Sequence, residues 1–156
     1  METRTLEPIL KEHPFFGDLA PQYLQLIVGC ARNVRFKAGQ GVFHEGDTAN
    51  YFYVIRRGRI RLEIHAPGRG SLAIQTIQAG EVVGWSWLFP PYRWHSDAYA
   101  VEDTQAIEMD GACLRSKCEA DHDLGYEMMK RFSSIISDRL QATRLQLLDI
   151  YGAAKG

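Results

Sequence analysis

Residues 33–109 constrain the fold more than any other part of the chain. In GRIRLEIHA, Ile60, Leu62 and Ile64 alternate with Arg61 and Glu63. That is the period of a strand with one face turned to a core. SLAIQTI repeats the alternation through Leu72 and Ile74, and the link between the two, PGRG, is hairpin chemistry. FKAGQGVFHEGD and YFYVI supply further short strands, punctuated by Gly39, Gly41 and Gly46. Short strands with glycine turns at this density predict a closed or double-sheet β structure.

Both flanks read as helix. LEPILKEHPFF is a short amphipathic stretch, and LAPQYLQLIVGCA places Leu24, Ile27 and Val28 at helical spacing. Pro21 stands near the start of that second helix, where its missing N–H is tolerated. After residue 109, Asp110 can cap a short helix reaching Cys118, and Asp121 or Asp123 can cap a long one. In the long one Leu124, Met128, Phe132, Ile135, Ile136, Leu140, Leu147 and Tyr151 recur at three- and four-residue steps, and Gly152 is read as its end. About 28 residues at 1.5 Å each make a helix of about 40 Å. That exceeds the cover a small β domain needs, so the surplus apolar surface at Leu140, Leu147 and Leu148 is expected to pair with a second copy. The expected fold is α+β in one domain over 1–156. N-terminal helices fill 1–32, a roughly eight-stranded β-roll fills 33–109 and C-terminal helices fill 110–151.

Composition narrows the function. A formal net charge of -1 gives no basic footprint for nucleic acid. The basic residues of KRFSSIISDRLQATRLQ (Lys130, Arg131, Arg139 and Arg144) are diluted by Asp138 and Asp149 and read as a solvated helix face. No apolar run reaches the roughly 18 residues of a membrane span. METRTLEPILKEHPFF lacks the apolar centre of a signal peptide. The expected compartment is the cytoplasm. The three cysteines have no metal or disulfide spacing and are expected to be reduced.

The middle of the chain resembles a known pattern. FKAGQGVFHEGDTANYFYVIRRGRIRLEI is similar to the first half of the cyclic-nucleotide-binding domain, as found in Crp/Fnr-like sensors. The matching features are Gly39, Val42, Gly46-Asp47, the strand from Phe52 to Ile55, and Gly58. The helices before and after also match in place. The resemblance implies a β-roll flanked by helices, a regulatory role without catalysis, and a nucleotide ligand. It implies a phosphate-binding cassette in the second half, in which a glutamate holds the ribose hydroxyl and an arginine pairs with the cyclic phosphate. Backbone N–H groups at the start of a short helix would complete that anion site. Family transcription regulators carry a helix-turn-helix after the long helix; the residues up to Gly156 leave no room for one, so this chain is expected to act without nucleic acid.

The cassette here is GEVVGWSWLFPPYRWHSDAYA, residues 80–100, and it holds all three tryptophans of the chain. Gly84 falls on the family's glycine, and Trp85 stands where the ribose glutamate is expected. Counting back from Ala100, Trp94 stands where the phosphate arginine is expected. An indole offers only a donor and no charge, so tight cyclic AMP binding is not expected. Three readings remain open. The indoles can fill the pocket, leaving a scaffold that works through dimerisation or a protein partner. The pocket can be altered to take another nucleotide-like anion, using Gly80, Glu81, Ser86, Trp87, Arg93, His95 and Ser96 beside the indoles, with Arg93 brought inward by a bulge. Cyclic AMP or cyclic GMP can still bind, since Glu81 and the family glycines remain. By resemblance, Leu124, Met128, Phe132, Ile136, Leu140 and Leu147 form the relay and dimer helix.

Other chemistries have little support. His44, His65 and His95 are scattered and read as strand histidines rather than haem ligands. No motif links a nucleophile to a base at His95 with Asp97 or at His44 with Glu45, and adjacent residues such as His44 and Glu45 face opposite ways on a strand. No metal or cofactor is expected.

Overall fold

Period-two alternation in the middle of the chain builds two antiparallel sheets. The computed structural model describes residues 2–155, with side chains over 6–152. Helices α1 (Glu2–Glu12) and α2 (Pro21–Val28) lead into eight strands. These are β1 (Ala31–Phe36), β2 (Gly41–Phe43), β3 (Tyr51–Arg57), β4 (Arg59–Ala66), β5 (Gly70–Gln78), β6 (Val82–Val83), β7 (Asp97–Ala100) and β8 (Thr104–Asp110). Helices α3 (Gly111–Ala120) and α4 (His122–Lys155) follow. One sheet has the order β1-β8-β3-β6 and the other β2-β7-β4-β5. This is the α+β β-roll the sequence predicts. Ala31 and Arg32, read as helix from sequence, open the first strand instead.

The run YFYVI is buried from Phe52 to Ile55, because the sheet containing β3 has a core on each side. Phe52 and Val54 face the helices, joining Leu24, Ile27, Leu124, Met128 and Phe132. Tyr53 and Ile55 face into the roll, joining Ile60, Leu62, Ile77 and Ala98. Val82 and Val83 divide between the same two cores. The β4–β5 hairpin turns at PGRG with Gly68 and Gly70 at positive φ, and beyond the roll its tip is solvated, leaving Leu72 39% exposed.

Two caps foreseen from sequence form. The Asp110 side chain accepts from the Cys113 N–H at 3.0 Å, and Asp121 accepts from the N–H groups of Asp123 and Leu124. The long helix differs from expectation at its far end. It runs 34 residues and passes through Gly152, where an added Cβ would meet nothing within 4 Å outside its own helix. A helical glycine costs only about 1 kcal/mol, so it does not by itself end the helix.

The cysteine expectation is overturned. Cys30 and Cys113 form a disulfide across 83 residues, and Cys118 alone is free. Strand pairing explains the meeting: Ala31 lies opposite Met109, and the Asp110 N–H donates to the Cys30 carbonyl at 2.8 Å. Cys30 at the end of α2 is thereby brought beside Cys113 in the first turn of α3.

Candidate functional site

The segment 84–96 lies between β6 and β7 and distributes its three indoles to different places. Trp94 enters the roll. Residues 92–94 pair with 46–49: Ala49 N–H donates to Tyr92 O at 2.7 Å, Trp94 N–H to Asp47 O at 3.0 Å and Gly46 N–H to Trp94 O at 2.9 Å. This ladder fixes the alternation, so Trp94 points in and Arg93 and His95 point out. The Trp94 indole stacks on Phe43 with ring centroids 3.7 Å apart and planes 8° from parallel. It also presses on Gly84, where φ is +97° and an added Cβ would lie 2.7 Å from the indole. Gly84 is therefore required twice, by its backbone conformation and by the ring above it.

Trp87 goes to the other core. It is fully buried and stacks on Phe52 at 4.9 Å, with the Phe132 ring of α4 edge-on at 5.2 Å. Its Nε1 has no hydrogen-bond partner. Trp85 lies half-buried at the seam between roll and helix. The Arg139 guanidinium of α4 stands over its ring, 4.8 Å from the centroid, and donates to the Val82 carbonyl. Arg139 is 8% exposed, and burial pushes its pKa down to about 10, with Glu81 opposing that shift. It stays charged at neutral pH.

Beside the Trp94–Phe43 stack lies a cavity of about 60 Å³ lined by Phe43, Leu62, Trp85, Trp94, Ser96 and Arg139, among others. Small-molecule sites run from about 300 Å³ upward. Gly84, Ser86 and His95 also line this cavity. Gly80 and Glu81 lie outside it and border a groove against α4. Arg93, expected to turn inward on a bulge, is exposed and donates to the Gly46 carbonyl at 2.8 Å. The short helix expected to present N–H groups to an anion is missing as well: 84–96 forms turns, with the Leu88 N–H donating to Trp85 O at 3.0 Å. The histidine pairs weighed from sequence do not form; His44 sits 3.6 Å from the Asp97 carboxylate instead.

The long helix divides along its length. Leu124, Met128 and Phe132 are buried against both the N-terminal helices and Trp87. Phe132 meets Phe15 at 5.0 Å and Phe52 at 5.1 Å, both edge-on. Ile136 is partly buried, whereas Leu140 and Leu147 are 59% and 53% exposed, with Leu145, Leu148, Ile150 and Tyr151 exposed beside them. Polar side chains tie α4 to the rest of the domain, Arg131 to the turn after α1 and Arg139 and Gln146 to the roll. Arg131 donates to Phe15 O at 2.8 Å, Arg139 to Val82 O, and Gln146 to Ile74 O at 2.8 Å. Sequence reading missed Arg139, placing it on a solvated face. The available signal was its position seven residues after Phe132, two turns along the same side of the helix.

Residues 33–121, more than half of the chain, match the family described as cyclic nucleotide-binding domain, and the chain belongs to that family. It is 22% identical over 145 residues to a CRP-like cAMP-activated global transcriptional regulator of Mycobacterium tuberculosis, covering 93% of this chain and 63% of that protein. The chain thus spans less than two thirds of that relative's length. Among solved structures it is similar to a cyclic nucleotide-binding domain from Methylobacillus flagellatus (TM-score 0.78, 16% identity, covering 94% of this chain and 83% of that one). It is also similar to the sensor domain of the transcriptional regulator DNR from Pseudomonas aeruginosa (TM-score 0.71, 19% identity, covering 90% and 95%). Among the described residues no helix is long and apolar enough to cross a membrane.

Proposed function

We propose that residues 1–156 act as one cytoplasmic, non-catalytic regulatory domain whose roll is closed to cyclic AMP and cyclic GMP, and whose output passes through α4 to a second copy of the chain. The observation that carries the reading is the Trp94–Phe43 stack at 3.7 Å, beside a cavity of only about 60 Å³. No cationic side chain of the cassette replaces the missing phosphate partner, since Arg93 is turned out to Gly46. The exposed leucines of α4 from Leu140 to Leu148 supply the pairing surface. Leu124, Met128 and Phe132 act as the relay, because they touch the Trp87 core on one side and continue into the exposed stripe on the other.

Two measurements test this. Titration calorimetry with cyclic AMP and cyclic GMP is expected to show no binding tighter than about 100 µM; a low-micromolar dissociation constant would end the closed-roll reading. Light scattering after size exclusion is expected to give a dimer that Leu147→Glu converts to a monomer, since a charge in a paired apolar seam is strongly unfavourable. A wild-type monomer would remove the α4 output.

A further inference from the structure

Arg139 carries a charge that no carboxylate among the described residues contacts; its partners are the Trp85 ring and the Val82 carbonyl. The groove between the β5–β6 turn and α4 has a volume of about 360 Å³ and is lined by Pro14, Phe15, Gln75, Ser134 and Arg139, together with the acidic residues Glu81 and Asp138 at its border. Arg139 lines both this groove and the small roll cavity. Of the two guanidinium groups bordering the groove, Arg131 is paired to Asp18 at 2.6 Å and Glu127 at 3.6 Å. Arg139 has no carboxylate within 4 Å among the described residues, and its one hydrogen bond goes to the neutral Val82 carbonyl. Glu81 acts on it only from farther away, its carboxylate accepting from the Gln78 N–H at 3.0 Å. A charged group buried to this degree is ordinarily paired. Guanidinium presents five donors in a planar fork that suits carboxylate and phosphate.

We propose that Arg139 is the anion-binding residue of this domain: a small organic oxyanion, a carboxylate or phosphate on an apolar body, enters the groove and takes its remaining donors. The apolar body would rest on Pro14, Phe15 and Ile135, and Gln75 and Ser134 supply polar neighbours. The cation thus comes from the long helix rather than from the cassette. An occupied Arg139 would hold α4 against the Val82 strand and cover Trp85, which links the ligand to the helix that carries the output. This last link rests on the α4 output proposed above; the anion site itself does not.

The probes are inorganic phosphate, adenosine 5′-monophosphate and benzoate, each with the wild-type chain at constant ionic strength. At tenfold excess over the dissociation constant, binding raises the melting midpoint by about 3–6 °C for a chain of this size. Trp85 fluorescence should change in parallel. Arg139→Met should abolish both responses; its midpoint without anion drops as the bond to the Val82 carbonyl is lost, so each response is read against the variant's own anion-free midpoint. Ser134→Trp, on the exposed wall of the groove, should block the same responses with Arg139 intact. A response to phosphate alone means that the oxyanion head suffices; a response confined to the two organic probes means that the apolar body is needed. Silence of the wild type to all three probes overturns the proposal, and so does an unchanged response in Arg139→Met. Cyclic AMP binding that persists in Ser134→Trp and Arg139→Met would instead overturn the closed roll and leave the groove untouched.

Discussion

Replacing Trp94 by alanine tests whether an indole has taken the place of a ligand. The side chain is 94% buried by complement of its 6% exposure, so nearly all of its roughly 200 Å² leaves water on folding. At about 25 cal/mol per Å² the transfer contribution has an upper value of about 5 kcal/mol. Trp-to-Ala changes in cores cost about 3–5 kcal/mol once the cavity is included. The stack on Phe43 should appear as about 0.5–1.5 kcal/mol of coupling in a double-mutant cycle with Phe43→Ala. Urea unfolding followed by circular dichroism should show the loss as a lower midpoint at unchanged slope. The melting temperature should fall by about 6–20 °C. Trp85→Ala is the internal control: the side chain is half-buried and should cost less than about 2 kcal/mol. Added indole should restore part of the stability of Trp94→Ala, because a dry apolar cavity binds an aromatic of matching size. A loss below about 1 kcal/mol, with no response to indole, would refute the filled roll.

Other outcomes follow from the same contacts. Thiol labelling of the unreduced protein should modify Cys118 alone, and reduction should expose Cys30 and Cys113; labelling of all three without reductant would contradict the pairing. Opening that 83-residue link should lower stability by about 2–5 kcal/mol, read by urea unfolding of Cys30→Ser against wild type. Phe132→Ala, which removes edge contacts to Phe15, Phe52 and Trp87, should cost about 3–5 kcal/mol and shift Trp87 emission to the red as water enters. His13 is buried, and desolvation holds its pKa below the usual value, against the opposing effect of its bond to the Ile55 carbonyl. The unfolded chain therefore takes up this proton first, so stability is full above about pH 6.5 and falls as pH drops through that value. In His13→Gln, unfolding midpoints at pH 7.5 and 5.5 should lie closer together than in wild type.

The strands were legible because their signals are local. Ile60–Leu62 alternation, the PGRG turn and the glycines at 39 and 46 each act over a few residues, and the caps at Asp110 and Asp121 do the same. The site was legible only in part. Comparison of Trp85 and Trp94 with the residues the resemblance implies gave the expectation of a cassette without its glutamate and arginine, and the alternation Trp94-in, Arg93-out was available from the strand period. Whether a bulge overrides that alternation depends on pairing with 46–49, which closes a loop of more than forty residues and leaves no local trace. The disulfide is similar: Cys30 and Cys113 meet only because β1 pairs with β8. Arg139 was hidden by its own chemistry. A basic residue in a mixed-charge helix reads as solvated, and its burial is decided by the strand edge at Val82, 57 residues away.

The placement of the three indoles sets a limit on any cyclic nucleotide in the roll. Trp94 belongs to the interior core, Trp87 to the core beneath α4, and Trp85 to the seam closed by Arg139. A nucleotide of ordinary size would have to move Trp94 off Phe43, because about 60 Å³ cannot hold it otherwise. Displacing the indole costs at most what deleting it costs, about 3–5 kcal/mol. At 1.4 kcal/mol per tenfold, that removes up to about two to three and a half decades of affinity before any contact is made. A site that would otherwise bind in the micromolar range is carried toward the millimolar, and on the proposed reading no carboxylate or arginine of the cassette repays the opening. An anion in the groove outside the roll meets no such barrier, since Arg139 is reached there without disturbing Trp94.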